Sequence, residues 1–454
     1  MKIPLFFAPI SLCLAGCSLV APKQAPDMAL PANFKESGIW KMARPSAHIA
    51  QGEWWSVFRD GELSSLMKRV ESSNQSLAVA EARAKEASAL LIGARFSFLP
   101  SLSGTSAATR SGGQGSNDCG TEFSLGATTS WEADLWGRLR HSARAITADA
   151  EAAAADVRAA RLSLQAQAAQ TYFLIRAVDA QQALYDRQLS SYEKSLEITR
   201  NRYTQGVASR GDVAQAESQL AATRSAAIEL GVQRATLEHA LAVLVGQAPS
   251  SFSLARGSLA GSVPRVPTST PSQLLERRPD IASAERQVAA ANERIGAAKA
   301  AFFPTVSLGG SAGWSGAGGL LSAPTFFWSL GPELAAPLLD GGQRLAQKAQ
   351  ADAAYERTVA NYRQTVLTAM QEVEDQLATL RILAQEAESQ EATVRTARES
   401  ERIAQNAYKA GTDNYLNVAV TQGQALTAER DALDLQVRRL NAAVALIKAL
   451  GGKW

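Results

Sequence analysis

Tyr203-Thr204-Gln205-Gly206-Val207-Ala208-Ser209-Arg210-Gly211-Asp212-Val213-Ala214 and Tyr408-Lys409-Ala410-Gly411-Thr412-Asp413-Asn414-Tyr415-Leu416-Asn417-Val418-Ala419 are two versions of one unit. In each, a long Ala-rich helical pattern reaches a Tyr and stops at a Gly. A few polar residues follow, and a second long helical pattern begins. Glycine stops a helix because it enters the left-handed region without a Cβ clash. Ser209 with Asp212 three residues later reads as a capping box that restarts the helix. Asn414 holds the matching place in the second copy. Each copy is therefore expected to be the tip of a helical hairpin.

The similarity extends past the tips. Residues 198–246 fall on 403–451 without a gap, with roughly 14 of 49 positions identical. Tyr203/Tyr408, Gly206/Gly411, Val213/Val418, Leu230/Leu435 and Gly246/Gly451 are among them. An internal repeat of this size governs the fold. Both halves present the same order of elements. A helix comes first (Leu63 to about Arg95; Pro279 to about Ala301), then Pro100 or Pro304, then Gly- and Ser-rich sequence with period-two alternation. Phe123, Leu125, Ala127, Thr129 and Trp131 alternate in the first half; Val306, Leu308, Gly310, Ala312 and Trp314 do so in the second. That pattern predicts strands with two unlike faces. Asn117–Gly120 and Gly316–Gly319 read as the loops between paired strands.

Glycine closes each strand pair, at Gly137 and at Gly341-Gly342. The helical patterns that follow, to Gln205 and to Ala410, would each be roughly 100 Å long at the α-helical rise. Val359, Tyr362, Val366, Met370, Val373, Leu377 and Leu380 recur at three/four spacing, as do Leu162, Ala166, Ala169, Phe173 and Ala177. These are coiled-coil-like seams. The expected organisation is a first repeat over 61–250 (strands 97–132, hairpin 138–247) and a second over 272–454 (strands 304–337, hairpin 343–451). A Pro-, Gly- and Ser-rich connector over 251–271 joins them.

Composition agrees with a helical chain. Aromatics are 6% of the 454 residues and the net charge is +3, so the electrostatic footprint of a nucleic-acid binder is missing. Three cysteines, at 13, 17 and 119, leave little prospect of an internal disulfide.

Met1-Lys2 and the apolar run Ile3 to Leu14 read as a secretory signal over 1–16, too short for a permanent span. The run ends Leu14-Ala15-Gly16-Cys17, which resembles the bacterial lipobox. That resemblance implies cleavage before Cys17 and acylation of it, palmitate included. Several acyl chains anchor stably where one is marginal. Ser18, being non-acidic, favours the outer membrane by the same resemblance. Residues 17–60 carry Pro22, Pro26, Pro31 and Pro45 and read as extended. Trp54-Trp55-Ser56-Val57-Phe58 then marks a docking point on an apolar surface.

Strands with one apolar and one small or polar face suit a membrane barrel, where lipid satisfies no backbone group. Four strands close no useful barrel alone, so several chains would contribute. The fold class expected is mainly α with a β membrane part.

On these features the chain resembles the TolC family of outer-membrane channels. Leu275-Glu276-Arg277-Arg278-Pro279-Asp280-Ile281, Trp131 to Gly137, Ala300-Ala301-Phe302-Phe303-Pro304 and the ending Ala449 to Gly452 are similar to its lipoprotein (NodT-type) branch. That branch is typified by outer components of resistance–nodulation–division drug pumps. The resemblance implies a homotrimer with a shared twelve-stranded barrel and a periplasmic α-barrel. It implies passive export of small molecules, driven by an inner-membrane pump through a periplasmic adaptor. It also places the entrance gate and the adaptor contacts at the tips. Gly206, Ser209, Gly411 and Asn414 would be docking-tip positions. Some members carry acidic residues on the inner helix after the second turn. Here Asn417 and Val420 stand at those places, and Gly423 where a basic residue can occur. Tyr415, Leu416 and Val420 could then form an apolar constriction, or Arg210, Asp212 and Glu217 could supply charge from the other repeat. Asp212 also has a purely local reading as the third residue of its capping box.

Two rivals stand beside the efflux reading: a lipid-anchored periplasmic coiled-coil scaffold, and a type I secretion channel. An enzyme finds little support. His48, His141 and His239 fall in unrelated elements and suggest no metal site. The glycine pairs lack the Lys-Ser/Thr of a phosphate loop. No catalytic residue, cofactor or metal is expected.

Overall fold

In a computed structural model the described residues are 35, 53–112, 120–259, 262–264, 278–317 and 325–452. Cys17, the signal region, residues 260–261 and 265–271 of the connector, and Arg277 lie outside them. Helices dominate: α1 (Gly61–Ser73), α2 (Gln75–Phe96), α3 (Arg138–Thr204), α4 (Arg210–Leu244), α5 (Pro279–Ala300), α6 (Gln343–Ala410) and α7 (Tyr415–Ala449). Four strands, β1 (Ser101–Ser111), β2 (Gly120–Ala133), β3 (Thr305–Ala317) and β4 (Thr325–Ala335), form one antiparallel sheet in the order β1-β2-β3-β4. The mainly helical class with a small sheet is thus the class read from the sequence.

Contacts divide the chain into two units. One combines Ala84–Ala153 with Ser283–Arg363 and contains the sheet; the other contains Ala154–Ala282 and Gln364–Trp454.

In the sheet unit, register sorts the side chains by face. Trp131 pairs with Leu308 and Leu308 with Pro332; Leu125 pairs with Trp314 and Trp314 with Phe326. The opposite face carries Ser130, Gly309 and Gly331, then Thr128, Ser311 and Ser329. Glycine is used here for close approach. A Cβ on Gly313 would stand 2.6 Å from the Leu125 carbonyl and 2.8 Å from Gly126 Cα. Where β2 hands over to α3, the Asp134 carboxylate accepts from the backbone N–H groups of Leu139 and Arg140, both at 3.0 Å. Those donors have no partner inside a helix's first turn, so Asp134 completes them. His141, buried, meets Glu293 of α5 at 2.6 Å.

In the second unit a core gathers Trp54, Trp55, Phe58, Leu63 and Met67 with Phe173, Ile175, Leu377 and Leu440. The Trp pair docks on an apolar surface as its sequence suggested, and Trp54 Nε1 donates to Gln165 at 3.2 Å. The two seams point inward: Ala166, Ala169, Phe173, Val366, Val373 and Leu377 are all buried.

One expectation needs correction. The helix read as continuous from Leu63 to Arg95 is broken at Asn74, whose backbone is extended. Its Oδ1 accepts from Leu77 N–H at 2.9 Å and its Nδ2 donates to the Leu244 carbonyl at 2.8 Å. The cap restarts the helix, while the amide satisfies the end of α4.

Candidate functional site: the paired hairpin tips

Both tips share one backbone design. Gly206 has φ +77 and Gly411 φ +79, so each helix ends through a left-handed glycine. Val207 N–H returns to the Arg202 carbonyl at 2.9 Å, and Thr412 N–H to the Ala407 carbonyl at 3.0 Å. The following helices start from capped residues. Ser209 accepts from Asp212 N–H at 3.0 Å, and Asp212 accepts from Ser209 N–H at 2.9 Å, a complete capping box. Asn414 accepts from Asn417 N–H at 3.1 Å. Asp413 accepts from Asn417 Nδ2 at 2.5 Å and from Asn414 N–H at 2.8 Å. Those two donors hold its carboxyl below the usual range.

The side chains diverge. The first tip is charged. Glu217 accepts from Arg200 at 2.8 Å and faces Arg210 at 4.0 Å. The Arg200 hydrogen bond outweighs desolvation and, with the Arg210 charge, holds this carboxyl low. Asp212, Arg210 and Glu217 therefore do not converge on one point: Asp212 is engaged by its cap, and the other two pair.

The second tip is an aromatic core. Tyr415 is 1% exposed and meets Tyr408 edge-on at 5.6 Å. Around them pack Leu196, Val213, Ala216, Ala404, Val418 and Ala419. Leu416 and Val420 lie outside it, 58% and 48% exposed. The three residues read together as an apolar constriction thus split. Leu416 and Val420 share an outer helix face at i, i+4 spacing, and Tyr415 is turned into its own hairpin pair. Burial, with Tyr192 and Tyr408 nearby, pushes the Tyr415 hydroxyl up to about 12. That hydroxyl has no hydrogen-bond partner among the described residues.

A latch between the repeats was not legible beforehand. Arg202, at the end of α3, donates to the Tyr408 carbonyl at the end of α6. Its guanidinium also lies 4.6 Å over the Tyr408 ring. Tyr408 in turn donates to Thr199 at 3.1 Å. One arginine so fastens both tips, as a second donor to a helix-end carbonyl that also accepts from Gly411 N–H at 3.0 Å. The only advance signal was the alignment of Tyr203 with Tyr408.

Between α4, α6 and α7 runs an open groove of about 780 Å³ lined by Gln215, Gln219, Thr393, Leu416, Val420 and Gln424. Its walls are amides, hydroxyls and small apolar groups, with one carboxylate, Asp431. Among the described residues no group of His, Cys, Asp and Glu is placed to hold a metal, and no helix is long and apolar enough to cross a membrane.

Known proteins share this architecture. Among solved structures, the outer-membrane channel OprN superposes with a TM-score of 0.88 at 28% identity, over 96% of this chain and 100% of that one. The pyoverdine export outer membrane protein OpmQ of Pseudomonas aeruginosa is 32% identical over 97% of this chain and 96% of its own length. The solvent efflux pump outer membrane protein SrpC of Pseudomonas putida is 30% identical over 98% and 97%. The profile of the outer membrane efflux protein family matches twice, over residues 66–247 and 270–452, once for each strand-and-hairpin repeat. Duplicated repeats, a two-faced sheet and capped hairpin tips, matched over nearly the whole length, place this chain in the outer membrane efflux protein family, a family of non-catalytic channels.

Proposed function

We propose that the chain is the lipid-anchored outer duct of a tripartite pump that exports small molecules, with three copies closing one barrel. The sheet carries this reading. Its apolar face holds Leu102, Phe123, Leu125, Trp131, Trp314 and Trp328; its other face is mostly Ser, Thr and Gly. Its outer strands, β1 and β4, each have one edge unpaired within the sheet. Lipid tolerates neither a polar face nor an open edge, so closure with other copies answers both. Three copies give twelve strands, an even number as single-chain barrels also have.

The tips supply the gate and the docking surface. Arg202 holds the tips together in the resting state. Leu416, Asn417 and Val420 line the constriction, with Tyr415 supporting them from behind. Arg200 and Arg210, two cations against the single Glu217 carboxylate, give the first tip a charged surface beside the entrance. Gly206, Ser209, Gly411 and Asn414 shape the surface that meets a periplasmic adaptor. Cys17 carries the acyl anchor. Pyoverdine, solvents and cations figure in the names of relatives, which supports small-molecule cargo.

Native mass spectrometry of detergent-extracted full-length protein tests the assembly. Three copies, each with a mass increment on Cys17, are expected. A monomer or dimer would end the barrel reading, and unmodified Cys17 would end the anchor.

A further inference from the structure

On the polar face of the sheet one described side chain is out of character. Each strand contributes alternate residues to this face. They are Ser101 to Thr109 on β1, Glu122 to Glu132 on β2, Thr305 to Ala317 on β3 and Thr325 to Ala335 on β4. Hydroxyls, glycines, alanines and three carboxylates fill these places, with a single large apolar exception, Phe327. It is flanked in sequence by Phe326 and Trp328, which point to the opposite, apolar face. A strand that needed only lipid contact would not spend an aromatic ring on the wet side.

The surroundings of Phe327 are specific. It pairs with Gly313, which pairs with Gly126, which pairs with Thr105. The row is therefore an aromatic ring beside two glycines. A Cβ at Gly313 would stand 3.0 Å from Phe327 Cζ. The ring thus lies along the wall over bare backbone, and it remains 42% exposed. Cover of a glycine accounts for part of its packing. It does not account for the exposed remainder, an apolar patch on the hydroxyl-rich face of each copy. Phe327 also lies toward the end of the sheet away from the helices, since β4 begins at Thr325 and the helices attach at the other end.

We infer that Phe327 is an aromatic contact point on the lumen wall near the outer exit, favouring passage of apolar and aromatic solutes. This rests on the barrel reading, in which the Ser/Thr/Gly face lines the lumen and three copies of Phe327 form a ring of patches. In a hydroxyl-lined duct, water-soluble cargo meets no such contact. An aromatic cargo meets three, each able to stack on or edge against it. Weak, exposed contacts of this kind raise local solute concentration without trapping it, as conduction requires.

Liposome swelling tests the inference with bilayer-impermeant neutral solutes. Full-length channels opened at the tips by Arg202→Ala are reconstituted, and the swelling rate in phenyl glucoside is divided by that in a disaccharide of similar size. Phe327→Ser, which matches the rest of the face, should lower the ratio about two- to threefold. Phe327→Tyr should keep it. A ratio unchanged or raised by Phe327→Ser overturns the inference, and so does an equal fall in both rates, the signature of a purely structural ring. Orientation is checked separately in a Cys119→Ser background. A charged, membrane-impermeant maleimide should label Phe327→Cys and spare Trp328→Cys. The reverse pattern overturns the assignment of faces, and with it the barrel reading, whatever the swelling ratio.

Discussion

The two tips began as the same turn and have been put to different uses. Backbone is what they keep: a left-handed glycine, a short polar link and a capped restart, at Gly206/Ser209 and Gly411/Asn414. Side chains are what they lost in common. Tyr203 is 44% exposed, while its counterpart Tyr408 is 5% exposed, under Arg202 and against Tyr415. One tip became a charged surface and the other a packed aromatic anchor for both. Duplication preserved what the chain needs in order to turn and left the rest free to diverge. The asymmetry also creates the latch, because Arg202 of one tip finds its carbonyl on the other.

The sharpest way to break this comparison is to empty the anchor. Tyr415→Ala should cost about 3–5 kcal/mol, as removal of a buried aromatic does. Tyr203→Ala should stay within about 0.5 kcal/mol, as exposed positions do. Urea unfolding of both variants measures the difference; equal losses would show that the tips are not specialised. Next come the shared glycines. Gly206→Ala and Gly411→Ala should each cost about 1–2 kcal/mol, because both force a Cβ into the left-handed region. Protease susceptibility at the two tips should rise alike. A tolerated alanine at either would remove the common backbone requirement.

The caps should follow at about 1 kcal/mol each for Ser209→Ala and Asn414→Ala. Amide exchange should quicken at Asp212 and Asn417, the N–H groups left without a partner. The smallest effect at neutral pH is Tyr415→Phe, within about 0.5 kcal/mol, since the hydroxyl it removes makes no bond to lose. Its pH dependence is more telling. A tyrosine with a raised folded value stabilises fully below its ordinary value near 10 and loses that stability as pH climbs through about 12. Thermal melts between those limits should fall faster for the wild type than for Tyr415→Phe. Parallel curves would deny that Tyr415 is buried.

Local chemistry explains what could be read in advance. The capping box and the glycine stop act over three or four residues, so sequence alone displays them. Strand faces were legible because alternation has a fixed period. The break at Asn74 was hidden by its own neighbours: Leu66, Met67, Val70 and Leu77 keep one apolar stripe across it, and the cap was overlooked in Ser72-Ser73-Asn74. For Tyr415 the spacing held the answer. Tyr415, Val418, Ala419 and Gln422 form an inward stripe, with Leu416 and Val420 rotated out of it. Grouping residues by apolar character instead of by helix face concealed that Tyr415 faces inward while Leu416 and Val420 face outward. The Arg202 latch was beyond reach, since nothing local ties an arginine to a carbonyl in the other repeat.

Planar-bilayer recording of the purified protein tests the central claim most directly: a duct whose tips are held closed by the contact between the repeats. Wild-type channels should conduct weakly, and Arg202→Ala should raise single-channel conductance severalfold in the same preparation, as loss of a closing contact in a pore constriction does. Equal conductance in the two, or none in either, would contradict the account.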